Sequence, residues 1–190
     1  MIEINYVTNN DCYKTGRTIV PSGIVVHSIG VAQPSVDVIR NNFNKSGLEA
    51  CVNAVMNNER IILIMPYNYR SWGCGAGSKG SWNNTRFQFE ICETAGHTYA
   101  GGTMVGYDAA ANQQWFDDMY TLLIKFLVFL CDKFGIDSSV IQCHSESYTM
   151  GYGSNHSDVM QWFPYHNKSM DTVRADASIV TGKQIGRAHV

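Results

Sequence analysis

The sequence predicts an α/β fold, a central mixed β-sheet flanked by helices. Three observations carry that prediction. Residues 24–26 (IVV) and 140–143 (VIQC) are short apolar runs, as buried strands are. Residues 85–93 alternate with a period of two, which is a strand pattern. Residues 110–134 instead repeat their apolar side chains at three and four, the mark of a core-facing helix. A chain of 190 residues, 45% hydrophobic and 16% charged, suffices for one such domain with a sizeable core.

Residues 1–22 read as an extension with an optional strand at 2–7 and a turn at 8–17. Residues 34–45 align Val36, Ile39 and Phe43 on one helical face, with Ser35 as N-cap and Gly47 as the stop. Residues 50–56 and 60–66 read as paired strands around Asn57, Asn58 and Glu59. Residues 69–84, rich in Gly and Ser, read as an exposed loop beside a groove. In the strand at 85–93, Phe87, Phe89 and Ile91 face one side and Gln88, Glu90 and Cys92 the other. Glu93 is expected to be solvated at its end. Small residues make 94–113 a loop, with His97 on its surface. Gly135 ends the long helix. Residues 165–180 carry Met170, Val173, Ala177 and Val180 at near-helical spacing, so a closing helix is expected, with His166 exposed on its approach. The tail, 181–190, reads as detached.

A net charge of −2 points to neither nucleic acid nor an anionic membrane. No apolar run reaches 18 residues, so no membrane span is expected. The start, MIEINYVTNND, lacks the basic and apolar regions of a signal peptide. The six cysteines show no CxxC spacing and are expected to be reduced and mostly buried. Cys143 and His144 make a poor nucleophile–base pair, because neighbours on a strand face opposite ways.

Chemistry concentrates in residues 141–164. His144, Glu146, His156 and Asp158 fall within fifteen residues there, with Gly151, Gly153 and Ser154 that suit a loop. Imidazoles and a carboxylate in a polar loop suit zinc, which takes three protein ligands in a catalytic site and leaves one position for water. This loop supplies two of the three. His27, directly after the 24–26 strand, is the best third candidate, since a strand's end holds a side chain well. Taken singly it would read as a structural histidine; the downstream cluster changes that. The residues alone leave open which three of His27, His144, His156 and Asp158 ligate.

Four motifs occur in order: VVHS at 25–28, RSWGCG at 70–75, FQFEICE at 87–93 and CHSE…SNHSDVMQWFP within 143–164. Together they resemble the zinc-dependent N-acetylmuramoyl-L-alanine amidases of the amidase type 2, or peptidoglycan-recognition-protein, family. Within it the wording looks like phage and prophage endolysin catalytic domains of clostridia-like Firmicutes. The resemblance covers about residues 20 to 180. It implies a catalytic domain over residues 1–180 and a Zn2+ cofactor held by His27, His144 and Asp158. Glu90 matches the family's glutamate beside the metal-bound water, a general base and then acid. His156 stands where the family usually has a lysine, and its imidazole can donate to an oxyanion. The competing arrangement has three histidine ligands with Asp158 behind them.

The departures concern the substrate pocket. Asn53 stands where the family usually has a histidine, and the 70–75 loop lacks the histidine of Trp-His-Ala-Gly. Gln88 replaces a glycine two residues before Glu90. Asn53 and Asn155 are nevertheless expected to meet substrate, and Trp72 either to meet it or to anchor its loop. The implied substrate is the muramyl stem peptide of peptidoglycan, cut between N-acetylmuramic acid and L-alanine. A non-catalytic peptidoglycan-binding module and an intracellular wall-recycling amidase are the alternatives. As an endolysin the chain is expected to be a monomer, made in the cytoplasm and acting on the wall after release at lysis. Residues 185–190 are expected to be non-native, with the natural protein continuing into a cell-wall-binding domain.

Overall fold

The structure is a computed structural model; it describes residues 1–187, and side chains to residue 178. The chain starts at a sheet edge with β1 (Ile2–Ile4), followed by α1 (Asp11–Thr15), a short helix where a turn was expected. Asn10 caps α1, its Oδ1 accepting from Cys12 N at 2.8 Å. β2 (Ile24–Ser28) is buried at every position. α2 (Val36–Phe43) starts at Ser35, as the sequence indicates, and stops at Asn44 rather than Gly47. β3 (Ala54–Met56) and β4 (Ile61–Leu63) form the expected antiparallel pair. Asn57 Oδ1 closes their turn by accepting from Glu59 N and Arg60 N.

β5 (Phe87–Ile91) is the alternating strand. The segment expected as a plain loop folds into a hairpin, β6 (Thr98–Ala100) and β7 (Thr103–Val105). Gly101 and Gly102 both have positive φ, which a tight primed turn demands and few other residues tolerate. α3 (Gln113–Phe134) is the long helix, ended by Gly135 in the left-handed region. β8 (Ile141–Cys143) leads directly into α4 (His144–Met150), so His144 opens a short helix rather than a loop. α5 (Met170–Arg187) closes the chain and runs past the expected end at 180. The expectation for 188–190 lies outside the described residues.

The main sheet is mixed, in the order β1-β4-β3-β5-β2-β8, with β3–β4 its antiparallel pair. Period-two alternation gives it two chemical faces. Ile24, Val26, Phe87, Phe89 and Ile91 face α3 and pack against Phe116, Leu123, Phe126 and Leu127. Burying such side chains stabilises the fold by about 1.5–3 kcal/mol each. Val55 and Ile62, on the other face, meet Val36 and Ile39 of α2. His166, expected at the surface, is buried. Its ring stacks on Phe116 at 3.9 Å, and its nitrogens meet Tyr107 Oη and Gln113 Oε1. All six cysteines are free and buried. Among the described residues no helix is long and apolar enough to cross a membrane.

Candidate active site

His27 and Glu90 are register partners on the parallel strands β2 and β5, on the face opposite α3. β8 flanks β2 on its other side, with Val26 opposite Cys143, so His144 emerges beside His27. All three lie toward the carboxyl ends of neighbouring strands, where open α/β sheets build their sites. Asp158 reaches them from a distant turn; its Oδ1 accepts from Ser28 N at 3.0 Å. Its φ of +47° is a left-handed conformation that Asp tolerates better than most residues.

His27 Nδ1 and His144 Nδ1 lie 3.1 Å apart, with Asp158 Oδ1 3.4 Å from the first and Asp158 Oδ2 3.1 Å from the second. The opposite ring nitrogens fix both tautomers. His27 Nε2 meets Gln88 Oε1 at 2.9 Å, and the Gln88 amide is oriented because its Nε2 donates to Asn83 Oδ1. His144 Nε2 meets the Cys74 carbonyl at 3.1 Å, which can only accept. Both Nε2 atoms therefore donate, and both Nδ1 lone pairs point at each other and at a carboxylate. Three electron-rich atoms this close need a cation between them. A tetrahedral ion with bonds of about 2.0–2.1 Å has edges near 3.3 Å, and each of these separations is close to that, as a zinc site requires.

Without metal, a proton must do that work. Burial opposes charge on His27, but Asp158 holds its pKa well above 6.5. Burial holds His144 low, and the neighbouring His27 adds to that. Asp158, despite burial, is held well below its usual range by the two histidines. Glu90 is the opposite case. Burial pushes its pKa up to about 8, with Asp158 and Glu93 adding and His27 opposing, and its Oε2 is buried without a hydrogen-bond partner.

These groups open into a cleft of about 690 Å³, also lined by Tyr99, Ser154, Asn155 and His156. His156 is exposed and stacks on His144 at 4.8 Å; it stands beside the three convergent atoms, not among them. Trp72 is half-buried against the Val52 core, with the Arg70 guanidinium over its ring, and does not line the cleft. Asn53 corrects the substrate-contact expectation. It is fully buried, its Nδ2 donating to the Pro66 and Tyr69 carbonyls and its Oδ1 accepting from Gln88 N. Glu93 and His97 are likewise buried and paired at 2.9 Å, not solvated. Glu146 caps α4 by accepting from Cys143 N at 3.0 Å.

The sequence reading missed the holders of the imidazoles, Gln88 and the Cys74 carbonyl. A polar Gln88 on the same strand face as Glu90 was the available signal; a backbone carbonyl leaves none. Gly73 belongs with them. A Cβ there would stand 2.7 Å from Gln88 Oε1 and 3.1 Å from Val52 Cγ1.

The family profile of N-acetylmuramoyl-L-alanine amidase (amidase type 2) matches residues 16–164. The chain belongs to this family. The amidase is thus an enzyme acting on peptidoglycan. Its fold resembles that of the Staphylococcus aureus hydrolase AmiA, solved in complex with its ligand: 22% identity, 98% of this chain and 85% of that one, TM-score 0.71. It also resembles the catalytic domain of XlyA, with 15% identity over 93% of this chain and 99% of that one, TM-score 0.69. A mutant endolysin from Bacillus subtilis shows 16% identity over 93% of the amidase and 98% of that chain, TM-score 0.66. At these identities the likeness is one of fold. No curated protein matches the sequence.

Proposed function

We propose that the amidase is a zinc enzyme that hydrolyses the bond between N-acetylmuramic acid and L-alanine, and that it serves as a phage or prophage endolysin. One observation carries the metal: two tautomer-fixed Nδ1 lone pairs and the Asp158 carboxylate converge with edges of 3.1–3.4 Å. Zinc bound there supplies a Lewis acid for the amide carbonyl and lowers the pKa of water toward ~7.

The chain's own residues do the rest. Gln88 and the Cys74 carbonyl hold the imidazoles in the ligating tautomer. Glu90 takes the proton of the attacking water and returns it to the leaving amine. Its high pKa belongs to the metal-free chain, and a nearby dication pulls it down into the range of a base. His156, exposed at the cleft, donates to the carbonyl oxygen as that oxygen gains charge. Asn155 contacts the substrate beside it. The fold's likeness to an endolysin from Bacillus subtilis supports action on the wall after synthesis in the cytoplasm and release at lysis.

The test pairs zinc content with turbidity loss of Gram-positive cell walls. Wild type should carry one zinc per chain, clear the walls and release L-alanine amino termini; His144→Ala should lose all three. Metal-free wild type that still frees L-alanine termini would refute the zinc reading. Clearing without new L-alanine termini would refute the bond assignment.

A further inference from the structure

A second buried polar network lies directly behind the metal centre. Glu93, two residues past β5, is almost wholly buried. Its carboxyl accepts from Ser28 Oγ in a short contact, from Gly30 N at 3.0 Å, from the Tyr99 hydroxyl at 2.9 and 3.0 Å, and from His97 Nε2 at 2.9 Å. His97 Nδ1 is buried without a partner, and a bare lone pair costs less there than an N–H, so Nε2 carries the proton. The pocket therefore offers donors only, and an acceptor-only side chain answers them.

Each strand of this network ends at the site. Ser28 follows His27, and its backbone N–H donates to Asp158 Oδ1. Ser28 Oγ also accepts from Trp162 Nε1 at 3.1 Å, just past the turn that carries Asp158. Tyr99 lines the cleft on the β6–β7 hairpin. That hairpin is tied to the Asp158 turn a second time, through Gln161, which accepts from Met104 N and donates to the Gly102 carbonyl. Burying a carboxylate is costly, and apolar packing would serve a purely structural role as well. Among the described residues its one ion-pair partner is His97.

We propose that Glu93 is a positioning residue for the metal centre: through Ser28 it holds the end of β2 in the register at which His27 and Asp158 converge, and through Tyr99 it joins that strand end to the cleft wall. The proposal rests on the zinc reading above. It acts one bond further out than the groups that touch the imidazoles, whose loss typically weakens metal affinity 10- to 100-fold.

The experiment titrates metal-free wild type, Glu93→Gln, Ser28→Ala and Leu123→Ala with Zn2+, and with Co2+ read by its visible absorption. Leu123 is a fully buried core residue that makes none of the network's hydrogen bonds, so its variant reports lost stability. Glu93→Gln should bind zinc about tenfold more weakly, with a displaced Co2+ spectrum. Ser28→Ala should move the same way, and the double variant should be no weaker than Glu93→Gln. Leu123→Ala should melt earlier and bind metal as wild type does. Wild-type affinity and spectrum in Glu93→Gln, or in Ser28→Ala if the first does not fold, would overturn the proposal and leave the zinc reading intact. Equal weakening in Leu123→Ala would also overturn it. A wild type that binds no metal would instead sink the zinc reading itself.

Discussion

His27 and His144 point their Nδ1 atoms at each other across 3.1 Å, each with its Nε2 engaged behind it. His27 cannot turn away without orphaning Gln88 Oε1, nor His144 without giving up its bonds to the Cys74 carbonyl and Ser154 Oγ. Removing either imidazole should therefore abolish metal binding rather than weaken it. His27→Ala and His144→Ala should each retain less than one tenth of a zinc per folded chain, measured after gel filtration, and lose wall-clearing activity by at least about a hundredfold. A His27→Ala protein with full zinc and normal clearing would contradict this assignment.

Metal binding should release a proton. In the metal-free chain His27 holds its proton to a pH well above 6.5, so the ion competes with that proton. Affinity should fall as pH drops through the His27 range. Calorimetry on Glu90→Gln, which lacks the second proton that zinc would displace, should show close to one proton released per zinc near pH 7 in buffers of different ionisation enthalpy, and fewer once pH exceeds the His27 value.

Glu90 should separate chemistry from metal. Glu90→Gln should keep its zinc and lose about 10²–10⁴ in kcat. The same variant tests the buried carboxyl. Its folded pKa of about 8 lies above the ordinary 4.5, so the folded chain binds the extra proton between those values. By linkage the metal-free protein loses stability as pH rises from about 4.5 to 8, on the order of a few kcal/mol. Metal-free Glu90→Gln should therefore melt above wild type at pH 8.5 and alike near pH 4.

Asn53→Ala should damage the fold and spare the reaction. The change orphans Gln88 N and the Tyr69 carbonyl and removes one of the two donors to the Pro66 carbonyl at a fully buried site, a loss of about 2–3 kcal/mol. Chemical denaturation should show that loss, while KM for wall fragments stays within about twofold of wild type, since the side chain does not reach the cleft. A large rise in KM with unchanged stability would restore the substrate-contact reading.

Gly73→Ala should loosen the ligand His27 mainly through Gln88, since the new Cβ would meet Gln88 Oε1 at 2.7 Å but His27 Nε2 only at 3.4 Å. The added Cβ displaces the Gln88 amide, which then no longer fixes the His27 tautomer. Zinc affinity should fall by about tenfold, read in the same titration as the histidine variants.

What was legible in the sequence is what periodicity and local caps encode. The alternation through Phe87, Phe89 and Ile91 placed the core face and, with it, Glu90 on the other side. Ser35 and Gly135 announced the ends of α2 and α3. The four candidate ligands came from the residues and the choice among them from resemblance, and the structure brings His27, His144 and Asp158 together, with His156 stacked outside. Contacts between distant segments were not legible. Glu93, His97 and His166 are polar residues in loop-like surroundings, and sequence alone gives such residues to solvent. Each is buried because a partner arrives from elsewhere: Ser28 and Tyr99 for Glu93, Phe116 and Tyr107 for His166.

The hydrogen bond from Ser28 to Asp158 spans 130 residues of chain, and the paired imidazoles span 117. An ion shared by these groups is a removable staple across most of the domain. A permanent cross-link closing a loop of that size stabilises a fold by about 4–5 kcal/mol in the chain-entropy picture. Chelation would then take away more than a Lewis acid. It would also remove a cross-link between distant parts of the chain, leaving them joined by the β2–β8 pairing and the Ser28–Asp158 bond.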